Sequence, residues 1–151
     1  MKDTKPSNLR RQPVVLPNDA CPTCGTLMLP STDVLSLIVN GERIPVSGVA
    51  HLLCPACGEG MLDADAARQS EVLAVEGYRE AHALLGSEEI RAIRRELGLQ
   101  QAELANLLQL GANTLSRWES GRVAQTAAMD VLLRLVRDVP GTVAYLRKRA
   151  A

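Results

Sequence analysis

Phenylalanine is absent from this chain of 151 residues, and tryptophan occurs once, as Trp118. Any core must therefore be assembled from Leu, Val, Ile and Ala. No apolar run approaches the roughly 18 residues of a membrane span, so no membrane partner is expected. The opening segment, residues 1–18, carries Lys2, Lys5, Arg10 and Arg11 but no apolar stretch. It lacks the pattern of a secretory signal and reads as a flexible basic arm of a cytoplasmic protein. There is no low-complexity segment and no internal repeat beyond two cysteine pairs. Net charge is also missing, with 17 basic residues balancing 17 acidic ones.

That balance hides a segregation. Residues 1–18 sum to +3, residues 19–86 to −6 and residues 87–151 to +3. An acidic middle and a basic end suggest modules with different partners, the basic end suiting a polyanion.

The cysteines fall as Cys21-Pro22-Thr23-Cys24 and Cys54-Pro55-Ala56-Cys57. In a reducing compartment this arrangement favours metal over disulfides. Each pair is followed by glycine, at Gly25 and Gly58, in the form of a zinc knuckle. Two thiolates two residues apart grip one ion only where the chain turns tightly. Two such knuckles complete a tetrahedral site of four sulfurs, which Zn²⁺ tolerates because it has no ligand-field preference. One zinc per chain, on Cys21, Cys24, Cys54 and Cys57, is expected to be structural, since four thiolates leave no open position. In zinc-finger peptides such a site contributes on the order of 10–16 kcal/mol of apparent folding energy. The alternatives are a redox dithiol, which needs one pair in a βαβ context, or an iron–sulfur cluster. His51, three residues before Cys54, is either a substitute ligand or a partly buried strand residue. His82 has no partner motif nearby.

Between the pairs, Asn40-Gly41 is a strong hairpin signal, because both central residues of the favoured turn take positive φ. Val34–Val39 and Glu42–Val46 are the expected strands, with Pro45 arguing for an edge. Val49–Leu53 is a candidate third strand. Residues 63–85 read as helical, broken near Gly77 and again at Gly86, which makes Gly86 a boundary.

From Ser87 the helix signals are dense. Ser87 is a candidate N-cap, with Glu88 and Glu89 in the first turn and Ile90, Ile93 and Leu97 at helical spacing. Further helices are expected over about 101–109, burying Leu104, Ala105 and Leu108, and over about 112–120. Another is expected over 126–139, with Ala128, Val131, Leu132, Leu135 and Val136 on one side. A short last helix would hold Val143 and Leu146. The fold class is therefore α+β: a small zinc-bound β-hairpin domain (19–62), a helical connector (63–86) and an all-α domain of about five helices (87–151).

The stretch 97–121 carries a helix, a turn and a second helix with two faces. Leu115 and Trp118 point inward. Ala112, Asn113, Ser116, Arg117 and Ser120 fall opposite, a stripe of small, amide and guanidinium groups suited to the major groove of double-stranded DNA. Asn pairs with adenine N6/N7; Arg pairs with guanine O6/N7 or holds a phosphate. Gln101, opening the preceding helix, is placed for a phosphate contact aided by the helix N-terminus. The plainer readings are a capping role for Asn113 and a solvated charge or non-specific phosphate contact for Arg117.

The Gln-Ala-Glu-Leu-Ala and Ser-Arg-Trp-Glu-x-Gly stretches resemble the Cro/repressor-like, XRE-type helix-turn-helix. One departure is that the turn position usually held by Gly is Gln109, with Gly at 111. Two C-P-x-C-G knuckles, the pair Gly58-Glu59 and then an XRE-type domain resemble the MqsA/YgiT-type antitoxins over roughly residues 19–149. The resemblance implies that Asn113 and Arg117 read the operator and that Cys21, Cys24, Cys54 and Cys57 hold zinc. It also implies a homodimer through the helical domains bound to a palindrome in its own promoter, with a zinc domain that contacts a toxin, typically an mRNA-cleaving ribonuclease. The acidic middle is consistent with a small basic toxin and equally with a solvated surface.

Three functions compete. The first is an antitoxin of a type II toxin-antitoxin system that represses its own operon. The second is a stand-alone zinc-containing XRE-family regulator. The third, an enzyme, lacks both an open catalytic metal and a nucleophile–base motif. The apolar residues of 128–136, with Val143, Tyr145 and Leu146, are either a dimer surface or internal core.

Overall fold

The structure, a computed structural model, describes residues 18–150. All of the basic arm but its last residue lies outside the described residues. The described chain is a cysteine-bearing β region followed by helices, which agrees with the expected α+β class.

The hairpin forms where Asn40-Gly41 placed it. Strands β2 (Leu35–Val39) and β3 (Glu42–Val46) pair antiparallel, Val39 opposite Glu42 and Leu35 opposite Val46. Asn40 and Gly41 take φ of 50° and 86°, which the turn demands. Pro45 stands opposite Ser36 in a two-stranded hairpin, where each strand keeps a free edge and a missing N–H is tolerated. A separate sheet joins β1 (Leu29–Ser31), β4 (His51–Leu53) and β5 (Gly60–Met61) in the order β1-β4-β5. The expected third strand thus exists but pairs away from the hairpin and carries the chain into the second cysteine pair.

Helix α1 runs unbroken from Ala64 to Ala81, capped by the Asp63 carboxylate, which accepts from the Asp65 and Ala66 amides. The expected break at Gly77 is corrected: the residue lies inside the helix. A Cβ there would sit 3.1 Å from Ile44 Cγ2, so the missing side chain lets helix and hairpin approach closely. Alternation on the strands turns Ile44 and Val46 inward, and they form with Val49 and Ala74 a core shared by hairpin and helix. Each buried Ile or Val side chain there contributes roughly 1.5–3 kcal/mol. The connector helix therefore packs as part of the N-terminal module.

Five helices follow: α2 (Ser87–Glu96), α3 (Gln101–Leu107), α4 (Thr114–Glu119), α5 (Ala127–Asp138) and α6 (Thr142–Ala150). One cap differs by a residue from expectation, and α4 starts two residues later than expected. Gly86 caps α2, its amide donating to the Glu89 carboxylate at 2.8 Å, and Ser87 is the first helical residue. Asn113 occupies the N-cap of α4. Leu85, Ile90, Ile93, Leu104, Leu115, Trp118, Leu133 and Val136 build the second core, with the chain's sole tryptophan at its centre rather than its surface. On α5 the buried face is rotated from the expected stripe. Leu132, Leu133 and Val136 face the core with Val143 and Leu146, whereas Ala128, Val131 and Leu135 are exposed.

Candidate metal centre and nucleic-acid interface

The two cysteine pairs adopt the same local geometry. Gly25 N donates to Cys21 O and Gly58 N to Cys54 O, at 2.8 and 2.9 Å. Cys21 N and Cys54 N donate in turn to Thr26 O and Glu59 O, both at 2.8 Å. Gly25 and Gly58 take φ near 77° and 76°, a conformation that closes each turn without a Cβ penalty. All four Sγ atoms lie within 4.8 Å of one another. Cys21–Cys57 and Cys24–Cys54 approach to 3.6 and 3.4 Å. A tetrahedron with Zn–S bonds of about 2.3 Å has S–S edges of about 3.8 Å, so the donor set fits one ion. Cys21 and Cys54 are buried against Met28, which ties the cluster to a small core.

The thiols are poised unequally. The Thr26 hydroxyl, 3.4 Å from the sulfur, and the Thr26 backbone lower the Cys24 thiol to about 6. At Cys57 the Glu59 amide acts in the same direction, but the crowded thiols of Cys54, Cys21 and Cys24 and burial outweigh it and push the group up to about 12. Four sulfurs this close ionise together only around a cation, so metal binding must release protons.

His51 is not a ligand in this geometry. Its ring is buried and its Nδ1 lies 2.9 Å from Val49 O, in agreement with the strand-residue reading. His82, unassigned from sequence, ties α1 to the hairpin through Glu42 Oε2 at 2.9 Å.

The second constellation lies on α4. Leu115 and Trp118 are buried, while Asn113, Arg117, Ser120 and, in part, Ser116 face solvent and line an open hollow of about 370 Å³ with Arg122. Asn113 makes no side-chain cap bond, which leaves its amide free despite its capping position. The serine hydroxyls are satisfied locally, Ser116 Oγ on Asn113 O and Ser120 Oγ on Arg117 O. Ala112 is exposed in the preceding turn. In that turn Gln109 takes φ 55°, so the left-handed residue stays at the position where Gly is usual, and Gly111 is not the pivot.

Gln101 sits apart from this hollow, and its Nε2 donates to Glu119 Oε2 at 2.8 Å. Glu119 is 2% exposed and also accepts from Arg94 Nε and Nη2 at 2.5 and 2.9 Å. Burial opposes its ionisation, but the hydrogen bonds from Arg94 and Gln101 and the charges of Arg94 and Arg91 hold the carboxyl below its usual range. The expected phosphate residue is therefore engaged in locking α3 to α2 and α4, with its second amide N–H still available.

Sequence reasoning missed a buried polar network behind α4. Arg79, 1% exposed, donates from Nη2 to Trp118 O and Val123 O and from Nε to Gln125 Oε1, each at 3.0 Å. Its Nη1 reaches Glu76 at 2.6 Å. Gln125 passes the chain on to Leu85 O and Asp130, which also accepts from the Leu85 amide and Arg134. No buried side-chain nitrogen or oxygen among the described residues lacks a partner. The only available signal was position: Arg79 lies one turn after the buried Val75, and Asp130 nearly one turn before Leu133.

No helix of the described residues is long and apolar enough to cross a membrane. No curated protein matches the sequence. Residues 19–147, which span both constellations, match the family described as the antitoxin component of bacterial toxin-antitoxin system, MqsA, and the chain belongs to that family.

Proposed function

We propose that this chain is a cytoplasmic antitoxin that binds operator DNA as a homodimer, represses its own operon, and holds a ribonuclease-type toxin through its zinc domain. The observation that carries the DNA half is the division of α4. Its apolar residues are consumed by the core, and Asn113 and Arg117, four apart, share one solvent-facing hollow with Ser116 and Ser120. A helix-turn-helix presents such side chains to the major groove, where Asn and Arg make two-pronged contacts to adenine and guanine. Gln101 would serve phosphate through its free N–H and the α3 backbone, and Ala112 would pack beside the backbone.

Zn²⁺ is the reading best supported for the four thiolates. Cys21, Cys24, Cys54 and Cys57 would hold it, and it would cross-link two loops around a small core. Dimerisation is supported by the exposed apolar residues Val131, Leu135, Val139 and Tyr145 on α5, its C-cap and α6. One helix reads only a few bases, so tight specific binding calls for two half-sites and a two-fold protein.

The toxin half rests on family membership and on the −6 charge of residues 19–86. Its test is co-expression of the tagged protein with its neighbouring reading frames. A stoichiometric small basic partner whose toxicity the protein suppresses supports the antitoxin reading. Specific promoter binding with no such partner favours a stand-alone zinc-containing XRE-family regulator.

A further inference from the structure

We infer that Arg122, which lies beyond the α4 helix, is a DNA-backbone contact that widens the interface from the recognition helix onto the following loop; this rests on the DNA-binding reading above. Arg122 lines the same hollow as Asn113, Ser116, Arg117 and Ser120. Gly121 ends α4 with φ 72°, and Arg122 N donates back to Arg117 O at 3.0 Å. The loop therefore folds back on the helix end and brings Arg122 to the hollow that Arg117 lines.

Four of the nine arginines in residues 87–151 are committed to carboxylates. Arg91, Arg94, Arg134 and Arg137 pair with Glu88 and Glu119, Glu119, Asp130 and Asp138, and Arg79 on α1 pairs with Glu76. Among the described residues Arg117 and Arg122 enter no ion pair, and Arg122 donates no side-chain hydrogen bond. Glu71 lines the adjoining hollow with Arg122 but forms no ion pair with it. Two free cations facing one hollow are arranged for a polyanion.

Geometry separates their roles. The six residues of α4 span about 9 Å along its axis, and the major groove is about 12 Å wide. With Asn113 at the groove floor, the far end of the helix and Arg122 come up against the phosphate wall. Arg122 should contribute affinity without sequence preference.

The test compares wild type with Arg122→Ala, Arg122→Lys, Arg117→Ala and Arg95→Ala. Arg95 is exposed, free of ion pairs and outside the hollow. Affinity is measured across a salt series on a fragment of the chain's own promoter and on a random-sequence duplex of equal length. Arg122→Ala should lower the salt slope by about 0.9 for each protomer bound. At ~0.15 M salt this is about a fivefold loss per protomer, equal on both duplexes. Arg122→Lys should keep the slope, and Arg95→Ala should change it little. An unchanged slope in Arg122→Ala, an equal loss in Arg95→Ala, or a loss confined to the promoter overturns the inference while leaving DNA binding intact. Failure of the wild type to bind either duplex overturns the DNA-binding reading and this inference with it.

Discussion

The guanidinium of Arg79 donates to the carbonyl of Trp118 at 3.0 Å, which joins the connector helix to the last turn of α4. With its other partners, Val123 O, Gln125 and Glu76, each guanidinium nitrogen is hydrogen-bonded, and the side chain is almost wholly buried. The N-terminal module and the helical module are thus tied through one side chain directly behind the hollow that carries Asn113 and Arg117. Removing that side chain strands several buried acceptors. Arg79→Met is expected to cost about 3–5 kcal/mol in urea unfolding. Arg79→Lys, which cannot reach all four partners, should cost about 2 kcal/mol. A loss below about 0.5 kcal/mol for Arg79→Met would show that the network is not a structural tie.

Acid should loosen the helical module through Glu119. Its carboxyl sits below the ordinary value of 4.5, so the folded state holds the charged form more tightly than the unfolded chain. The associated stability is fully present above that ordinary value and is lost as pH falls through the depressed one. Asp130 acts in the same sense: burial opposes its charge, but Arg134, the Leu85 amide and Gln125 more than compensate. Glu119→Gln should cost about 3 kcal/mol at neutral pH and flatten the fall in stability below pH 4.5, as read by unfolding curves from pH 7 to 2.5. An acid limb as steep as the wild type's would assign the effect to other carboxylates.

Metal removal should act on one module. Cys54→Ser, or a chelator, is expected to unfold the region around Cys21, Met28 and Cys54, whose small core offers little else. The helical module should still bind DNA. Amide exchange resolved along the chain separates the two, and metal analysis should return one zinc per chain. Unchanged exchange in the N-terminal region after metal loss would contradict a structural role.

A charge on the exposed face of α5 should break the dimer. Val131 and Leu135 are 56% and 44% exposed and lie one turn apart, with Tyr145 exposed on α6. Val131→Asp should yield a monomer by light scattering, with thermal stability of the monomer fold within about 0.5 kcal/mol of wild type. A dimer that survives both Val131→Asp and Leu135→Asp places the interface elsewhere.

Much of this architecture was legible in the sequence, for reasons particular to each element. Asn40-Gly41 fixes the hairpin because few other pairs accept two positive φ values. Each cysteine pair closes as a turn because it carries its own glycine. Leu104, Ala105, Leu115 and Trp118 declare an inward face by spacing alone. What escaped were features that depend on neighbours distant in sequence. Gly77 reads as a helix breaker until Ile44 is seen against it. Val131 and Leu135 read equally as dimer surface or as core until Leu133 is seen to take the core place. Arg79 and Asp130 carry no mark of burial in the sequence, because only a complete set of distant partners makes burial of a charge tolerable. Gln101 was legible as a polar residue at a helix start but not as the partner of Glu119, eighteen residues later.

Whether the α4 hollow reads base sequence is decided by operator binding of Asn113→Ala and Arg117→Ala. The measurement is affinity for the chain's own promoter fragment and for single-base-pair variants of the protected site. Arg117→Ala is expected to weaken promoter binding by about 1–3 kcal/mol and to relax preference at one base pair per half-site, with Asn113→Ala relaxing another. Equal weakening on every sequence, with preference intact, would contradict base reading and reduce α4 to a phosphate-binding surface.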